Sequence, residues 1–184
     1  MPYVCIRVPT GGGKTLLACH AVGLALRDFV REECGMVLWL VPSNTILEQT
    51  VNALRDVRHP YHQALEFSTG PVEVKTIGEA LQMRRAEAAG KTIVIVSTIQ
   101  CFRVEDTEGR KVYEENGCYP EFFQNISPDR LENLERGPDG NPVPSLANVL
   151  CLRRPVVIVD EAHNARTDLS FSTLGKVSPA CIVE

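Results

Sequence analysis

Several features that mark special classes of protein are missing from these 184 residues. No apolar run approaches the ~20 residues that a membrane-spanning helix needs, and no targeting segment opens the chain. The seven cysteines form no C-x-x-C pair, and no histidine has a second histidine or cysteine at zinc-site spacing. We therefore expect reduced, mostly buried thiols in a cytoplasmic protein, with neither a zinc site nor a membrane partner.

The chain also lacks an excess of basic charge, since its formal net charge is −4. This value gives no global sign of nucleic-acid binding, but it does not exclude it, because one groove of an acidic domain can be basic. Hydrophobic content of 44% and charged content of 23% are ordinary for a globular protein. The length suits one domain with a sizeable core.

Apolar segments of strand length alternate with segments of helical period along much of the chain. This alternation predicts an α/β fold with a mostly parallel central sheet and helices on both faces, in three layers. Such sheets bind ligands beyond the carboxyl ends of their strands, and each motif described below follows a strand. The predicted strands are 3–8, 36–41, 72–76, 92–97, 155–159 and 180–183, and the predicted helices are 14–33, 44–57 and 77–89, with Gly35 and Gly90 as stops.

The alternation fails between residues 104 and 150, which are rich in turn-forming residues such as the run 137–142. Brief helical patterns occur at 120–125 and 129–136. We interpret this region as an insertion within a single domain, because a long structureless loop is uncommon in a compact fold. The aromatic residues could stack on bases, although we favour a small local core for them: Tyr113, Tyr119, Phe122 and Phe123.

A glycine-rich loop follows the first predicted strand and opens the first predicted helix. Glycines there permit backbone torsions and a close approach that a Cβ atom would block, and N–H groups at a helix start attract anions. The pattern predicts that residues 10–15 hold the phosphates of ATP, that Lys14 reaches the β- and γ-phosphates, and that the Thr15 hydroxyl contacts Mg²⁺. The loop comprises Thr10, Gly11, Gly12, Gly13, Lys14 and Thr15. It departs from the strict P-loop pattern because Val8 stands where that pattern has glycine.

Two carboxylates follow the buried strand 155–159. Asp160 is the expected Mg²⁺ ligand, through a bound water, and Glu161 is expected to orient or deprotonate the water that attacks ATP. An acidic helix cap is the alternative reading of this pair, and the glycine loop disfavours it. Two other strand ends carry groups that could hold a nucleic-acid backbone: Pro42, Ser43 and Asn44 at one end, and Ser97, Thr98 and Gln100 at the other. Ordinary helix capping remains open for both ends. We interpret the pairs Arg84–Arg85 and Arg153–Arg154 as solvated surface.

Four segments in this order resemble motifs I, Ia, Ib and II of superfamily 2 helicases: VPTGGGKT at 8–15, VPSNTILEQ at 41–49, STIQ at 97–100 and DEAH at 160–163. The likeness is greatest to the DEAD/DEAH-box-like translocase of type III restriction enzymes, their restriction subunit. It implies a RecA-like first motor domain, cut short at both ends, that uses ATP and Mg²⁺ to move on DNA rather than RNA. It further implies that Gln49 contacts the polymer backbone, that Lys14 and Glu161 are catalytic, and that His163 couples ATP hydrolysis to movement.

The same resemblance implies partners outside these residues, namely a second RecA-like domain and a methyltransferase (modification) subunit. Because the arginine fingers of the family belong to the second domain, we expect the isolated chain to hydrolyse ATP very slowly. Two alternatives remain open: a DEAH-type RNA helicase, and a non-catalytic nucleotide-sensing module that docks a protein through the region 104–150. A P-loop kinase is disfavoured, because no segment resembles a lid or an acceptor site.

Overall fold

A six-stranded, entirely parallel sheet organises the fold, in agreement with the predicted α/β class. The computed structural model describes residues 1–9, 11–102, 111–160 and 174–184. The order of strands in space is β1-β6-β5-β2-β4-β3. The strands are β1 (Tyr3–Val4), β2 (Met36–Val41), β3 (Val72–Thr76), β4 (Thr92–Thr98), β5 (Val156–Val159) and β6 (Cys181–Val183).

Helices cover both faces of this sheet, as the three-layer prediction requires. In the part of the chain that the structure describes, three short 3₁₀ turns accompany them, at Arg85–Ala88, Ile99–Phe102 and Pro120–Phe123. None of the helices in the described ranges is long and apolar enough to cross a bilayer. The helices are α1 (Lys14–Leu24, continued by a π-helical segment Ala25–Val30), α2 (Asn44–Arg55), α3 (Pro60–Thr69), α4 (Ile77–Ala80), α5 (Pro128–Leu131) and α6 (Leu146–Arg153).

The central strands are buried on both faces, which explains why they are apolar without alternation. Every residue of β2 and of β4 is buried. Leu38 and Leu40 belong to a cluster with α6 and residues 112–122, whereas Val37, Trp39 and Val41 belong to a cluster with α1, α2 and α3. The sheet therefore separates two cores, one on each face.

Residues 111–150 pack onto one face of the sheet. Tyr119 is fully buried, its hydroxyl donates to the Ala80 carbonyl oxygen at 2.6 Å, and its ring meets Phe122 edge to face at 5.8 Å between centroids. The aromatic residues are thus packing residues, as predicted, but they join the main core on this face of the sheet and do not form a small separate one. Helix α6 was not predicted from the sequence. Its residues Leu146 to Leu152 are all buried, so they show no amphipathic period.

Three predicted elements differ most from the structure. The first helix ends at Val30 with Arg31 in the left-handed conformation (φ 63°), so Gly35 is not its stop; a Cβ atom at Gly35 would lie 2.5 Å from Leu26 Cδ2. The helix predicted over 77–89 is the single turn α4 followed by a 3₁₀ turn. The strand predicted over 3–8 pairs as β1 only at Tyr3 and Val4, although the Ile6 N–H extends the ladder to the Glu184 carbonyl oxygen at 2.7 Å.

Helix α3 was not predicted, although its ends carry recognisable signals. The His59 side chain accepts from the Tyr61 N–H at 3.2 Å, Pro60 occupies the first turn, and Gly70 follows the last residue with φ 71°. Proline at the start and glycine just after the end are typical of a helix. The helix packs against α1, where Gly23 lies directly beneath Ser68.

Candidate nucleotide site and nucleic-acid face

The glycine loop precedes α1 at the carboxyl edge of the sheet. Gly11 and Gly13 have φ of 80° and 75°, values that residues with a side chain rarely adopt. A Cβ atom at either position would meet nothing within 4 Å, so the loop borders open space there. Helix α1 begins at Lys14 with no side-chain cap at Gly13. Its first backbone N–H groups are therefore not capped by a side chain, which is the arrangement that binds anions.

Val8 and Gly12 are complementary in size within the loop. A Cβ atom at Gly12 would lie 2.4 Å from Val8 Cγ1 and 2.9 Å from the Pro9 carbonyl oxygen. The Gly12 N–H donates to that same oxygen at 2.9 Å and closes a tight turn. The Val8 side chain thus takes up the space that a side chain at Gly12 would need. Valine at position 8 is accommodated within the loop and does not prevent it from folding.

Asp160 follows β5, a strand that contacts α1, at the carboxyl edge of the sheet. Its backbone N–H donates to the Leu40 carbonyl oxygen at 2.9 Å, so it extends β5 alongside β2. Burial raises the pKa of the Cys19 thiol to about 12, and the negative charge of Asp160 contributes to that rise. Thr15 and Cys19 are four residues apart and share one face of α1. Metal binding by Thr15 and Asp160 stays a prediction.

Three of the predicted site residues, Thr10, Glu161 and His163, lie outside the described residues. Their roles in holding phosphate, in activating water and in coupling stay predictions.

At the end of β2, the Ser43 hydroxyl caps α2 by accepting from the Ile46 N–H at 3.4 Å. Pro42 is half-buried, whereas Ser43, Asn44 and Gln49 are exposed. The start of α2 therefore has an ordinary helix cap at Ser43, which was the alternative interpretation. It also has exposed polar residues that a polymer backbone could contact.

The end of β4 exposes fewer polar side chains than the start of α2. The Ser97 side chain is fully buried and donates to the Thr98 carbonyl oxygen at 3.0 Å, and the buried Thr98 hydroxyl donates to Cys101 Sγ at 3.3 Å. Gln100, in the following 3₁₀ turn, is half-buried. Of the residues predicted here, Gln100 has the side chain that solvent reaches.

A comparison of the sequence with models of protein families identifies the family. A family model described as "Type III restriction enzyme, res subunit" matches residues 2–184. The chain belongs to this family. It is therefore a helicase-like, ATP-binding motor domain of a type III restriction system. A search of curated proteins finds no match.

Members of the res-subunit family generally use ATP with Mg²⁺, and the residues present fit that pair. The open space at Gly11 and Gly13 provides a cradle for phosphate, with the start of α1 beside it. A threonine hydroxyl and a carboxylate are oxygen donors, which Mg²⁺ prefers.

The order of strands divides the carboxyl edge of the res-subunit domain into two halves. The loop follows β1 and Asp160 follows β5, whereas the candidate backbone contacts follow β2 and β4. Because β5 and β2 are adjacent, Asp160 and Pro42 begin neighbouring connections, about 5 Å apart by the usual strand spacing. The two predicted functions therefore meet at this pair of strands.

Arg55, which no sequence motif singles out, holds α2 in place. Its guanidinium donates through Nε and Nη2 to the Val74 carbonyl oxygen, at 3.1 and 2.9 Å, and also pairs with the Glu79 carboxylate. Partial burial raises the pKa of Glu79, but hydrogen bonds from Thr76 and the charge of Arg55 outweigh it and hold that pKa below its usual value. Arg55 therefore anchors the far end of α2 to β3 and α4.

Proposed function

We propose that this domain binds Mg²⁺-ATP between the glycine loop and Asp160 and hydrolyses it to move along DNA within a type III restriction system. A loop whose glycines border open space at the start of α1, on the same edge of the sheet as Asp160, carries the proposal. Family membership supports a motor that engages nucleic acid.

Each residue has a distinct task in this proposal. The N–H groups of the loop and the ammonium of Lys14 bind the phosphates, in a charge-assisted contact that is stronger than a neutral hydrogen bond. Thr15 and Asp160 hold the metal ion, which neutralises charge on the phosphates when bound. Glu161 orients the attacking water, and His163 communicates the state of the nucleotide to the polymer.

The contacts to DNA are assigned to the other half of the edge. The start of α2 supplies backbone N–H groups at Ser43 and Asn44, with Pro42 and Gln49 alongside, and Gln100 supplies a contact after β4. Since Ser97 and Thr98 are buried, they shape that strand end and do not extend side chains towards the polymer. Contacts of this kind hold the phosphate backbone and do not read base sequence.

The variant Lys14→Ala tests the nucleotide site. We expect its affinity for Mg²⁺-ATP to fall about 10- to 100-fold, because one charge-assisted contact contributes about 1.5–3 kcal/mol. Titration calorimetry measures the affinity of the parent chain and of Lys14→Ala. Lys111→Ala is the control, because Lys111 is an exposed lysine outside the glycine loop. Equal affinities for the parent and Lys14→Ala would reject the site.

The metal site is tested by Asp160→Asn, which keeps the shape of the side chain and removes its charge. We expect affinity for ATP in the presence of a chelator to be unchanged or slightly higher, and the gain in affinity on adding Mg²⁺ to shrink about tenfold. Asp129→Asn, at an exposed position, serves as the control. A full Mg²⁺ effect in Asp160→Asn would show that the metal is held elsewhere.

A further inference from the structure

Three arginines from distant parts of the sequence lie near one another on the face of the sheet that carries α6. Arg130 Nη2 donates to the Leu152 carbonyl oxygen at 2.6 Å, which places its guanidinium beside Arg153 at the end of α6. Arg85 Nη1 donates to the carbonyl oxygens of Glu121 and Gln124, at 2.9 and 3.4 Å. We refer to Arg85, Arg130 and Arg153 as the arginine cluster.

The three charges influence one another. Burial lowers the pKa of Arg153, and the positive charges of Arg85 and Arg130 lower it further, while the carboxylate of Glu32 raises it. Within the ranges that the structure describes, no member of the cluster forms an ion pair with a carboxylate. The fold therefore holds like charges near one another, and the Glu32 carboxylate partly offsets their repulsion.

Most hydrogen-bond donors of the cluster remain unused by described residues. A guanidinium carries five N–H groups. Arg85 uses only Nη1, Arg130 uses one bond from Nη2, and Arg153 donates to none of the described residues. Arg130 and Arg153 are exposed, and Arg85 is half-buried. Two guanidinium groups are thus held in place by backbone carbonyl oxygens while their remaining N–H groups are available to an anion.

The cluster lies away from the nucleotide site. Arg153 ends α6 three residues before β5, and Glu32 precedes β2, so both lie at the amino edge of the parallel sheet. The glycine loop and Asp160 lie at the opposite edge. A strand of seven residues such as β4 spans about 23 Å. A ligand on the cluster would not overlap the ATP site or the start of α2.

We propose that the arginine cluster binds backbone phosphates of DNA at the amino edge of the sheet, as a contact additional to those at the carboxyl edge. The planar guanidinium fork matches phosphate oxygens two at a time, and arginine suits this geometry better than lysine. Nucleic acid is the polyanion that the res-subunit family engages. The inference rests on the proposed function for the identity of the polymer, but it concerns a separate surface.

The test compares Arg153→Gln with Arg58→Gln. Both changes remove one exposed arginine, and Arg58 follows α2 on the other face of the sheet. Binding of a short fluorescein-labelled DNA duplex of mixed sequence is followed by anisotropy over a series of salt concentrations, without nucleotide. We expect Arg153→Gln to weaken binding about tenfold near 0.1 M salt, to reduce the salt slope by about 1, and to leave Mg²⁺-ATP affinity unchanged. Arg58→Gln should behave as the parent chain.

The outcomes separate the two proposals. Equal DNA affinity and equal salt slope for the parent and Arg153→Gln would overturn the assignment of the cluster and leave the motor proposal standing. A parent chain that binds no duplex at all would overturn both. If labelled polyglutamate binds the parent chain more tightly than DNA does, and Arg153→Gln abolishes that binding, the cluster takes an acidic protein and the DNA assignment is wrong.

Discussion

Replacing Gly12 by alanine is expected to abolish measurable binding of Mg²⁺-ATP, with a loss of about 100-fold or more. The added Cβ atom would lie 2.4 Å from Val8 Cγ1 and 2.9 Å from the Pro9 carbonyl oxygen. The second contact is with backbone, so rotation of the Val8 side chain cannot relieve it. The loop must shift as a whole, and Gly11 and Gly13 then no longer present their N–H groups to one anion. Titration calorimetry with ATP and Mg²⁺ measures the effect.

A second substitution distinguishes this explanation from general damage. In the double variant Val8→Ala with Gly12→Ala, the Cγ1 contact disappears and only the carbonyl contact remains. We expect the double variant to recover part of the lost affinity, so that the two changes are strongly non-additive. Gly78→Ala is the matched control, since a Cβ atom there meets nothing within 4 Å. Strictly additive losses would mean that Val8 and Gly12 act independently.

Replacing Gly23 by alanine is expected to destabilise the fold by about 1–3 kcal/mol, the usual range for overpacking a tight contact. The new Cβ atom would lie 2.2 Å from Ser68 Cβ and 3.2 Å from the Ser68 carbonyl oxygen, so α1 and α3 must move apart. For a chain of this size we expect the melting temperature to fall by roughly 2–12 °C. Trp39, the single tryptophan, is fully buried between the layers, so its fluorescence reports unfolding.

The control for Gly23→Ala addresses the effect of alanine on helix propensity. Alanine favours a helix more than glycine by about 1 kcal/mol, so in the absence of the contact with Ser68 the change would stabilise the protein. Gly78→Ala, in α4, should show that neutral or stabilising effect. A melting temperature for Gly23→Ala at or above that of the parent chain would show that α1 and α3 are not packed as closely as the structure has them.

The central strands could be predicted because burial on both faces leaves a plain signature in sequence. The predicted bounds of β2 and β3 agree with the structure, and β4, β5 and β6 differ by one residue at an end. An apolar run of strand length that ends in Pro42-Ser43 or Asp160 has few other structural interpretations. The parallel arrangement then follows from the alternation with helices.

Helices α3 and α6 could not be inferred in the same way. Helix α6 is buried on all sides, so no polar face marks its period, and α3 has only terminal signals at Pro60 and Gly70. The end of the first helix was also hidden, because Arg31 adopts a left-handed conformation that is uncommon for arginine. Tertiary packing, more than local sequence, determines these two helices and the end of the first helix.

The sequence was enough to predict which residues form the candidate site, but it did not show which atoms they contact. Glycines and a Lys-Thr pair between a strand and a helix indicate a phosphate loop, but nothing in the letters shows that Val8 fills the space beside Gly12. Likewise the side chains of Ser97 and Thr98 belong to a polar motif, yet both point into the core. Which side chain faces solvent is settled by the packing of neighbouring strands.

The pairing of β1 has a kinetic consequence. Tyr3 pairs with Ile182 and Val4 with Val183, so the strand that carries the glycine loop joins the sheet through β6, which is distant in sequence. Closing so long a loop is entropically costly and slows folding. During synthesis the loop is made well before β6, so its strand has to wait for β6 before it can pair. We expect the ability to bind nucleotide to arise late, after β6 has joined the sheet.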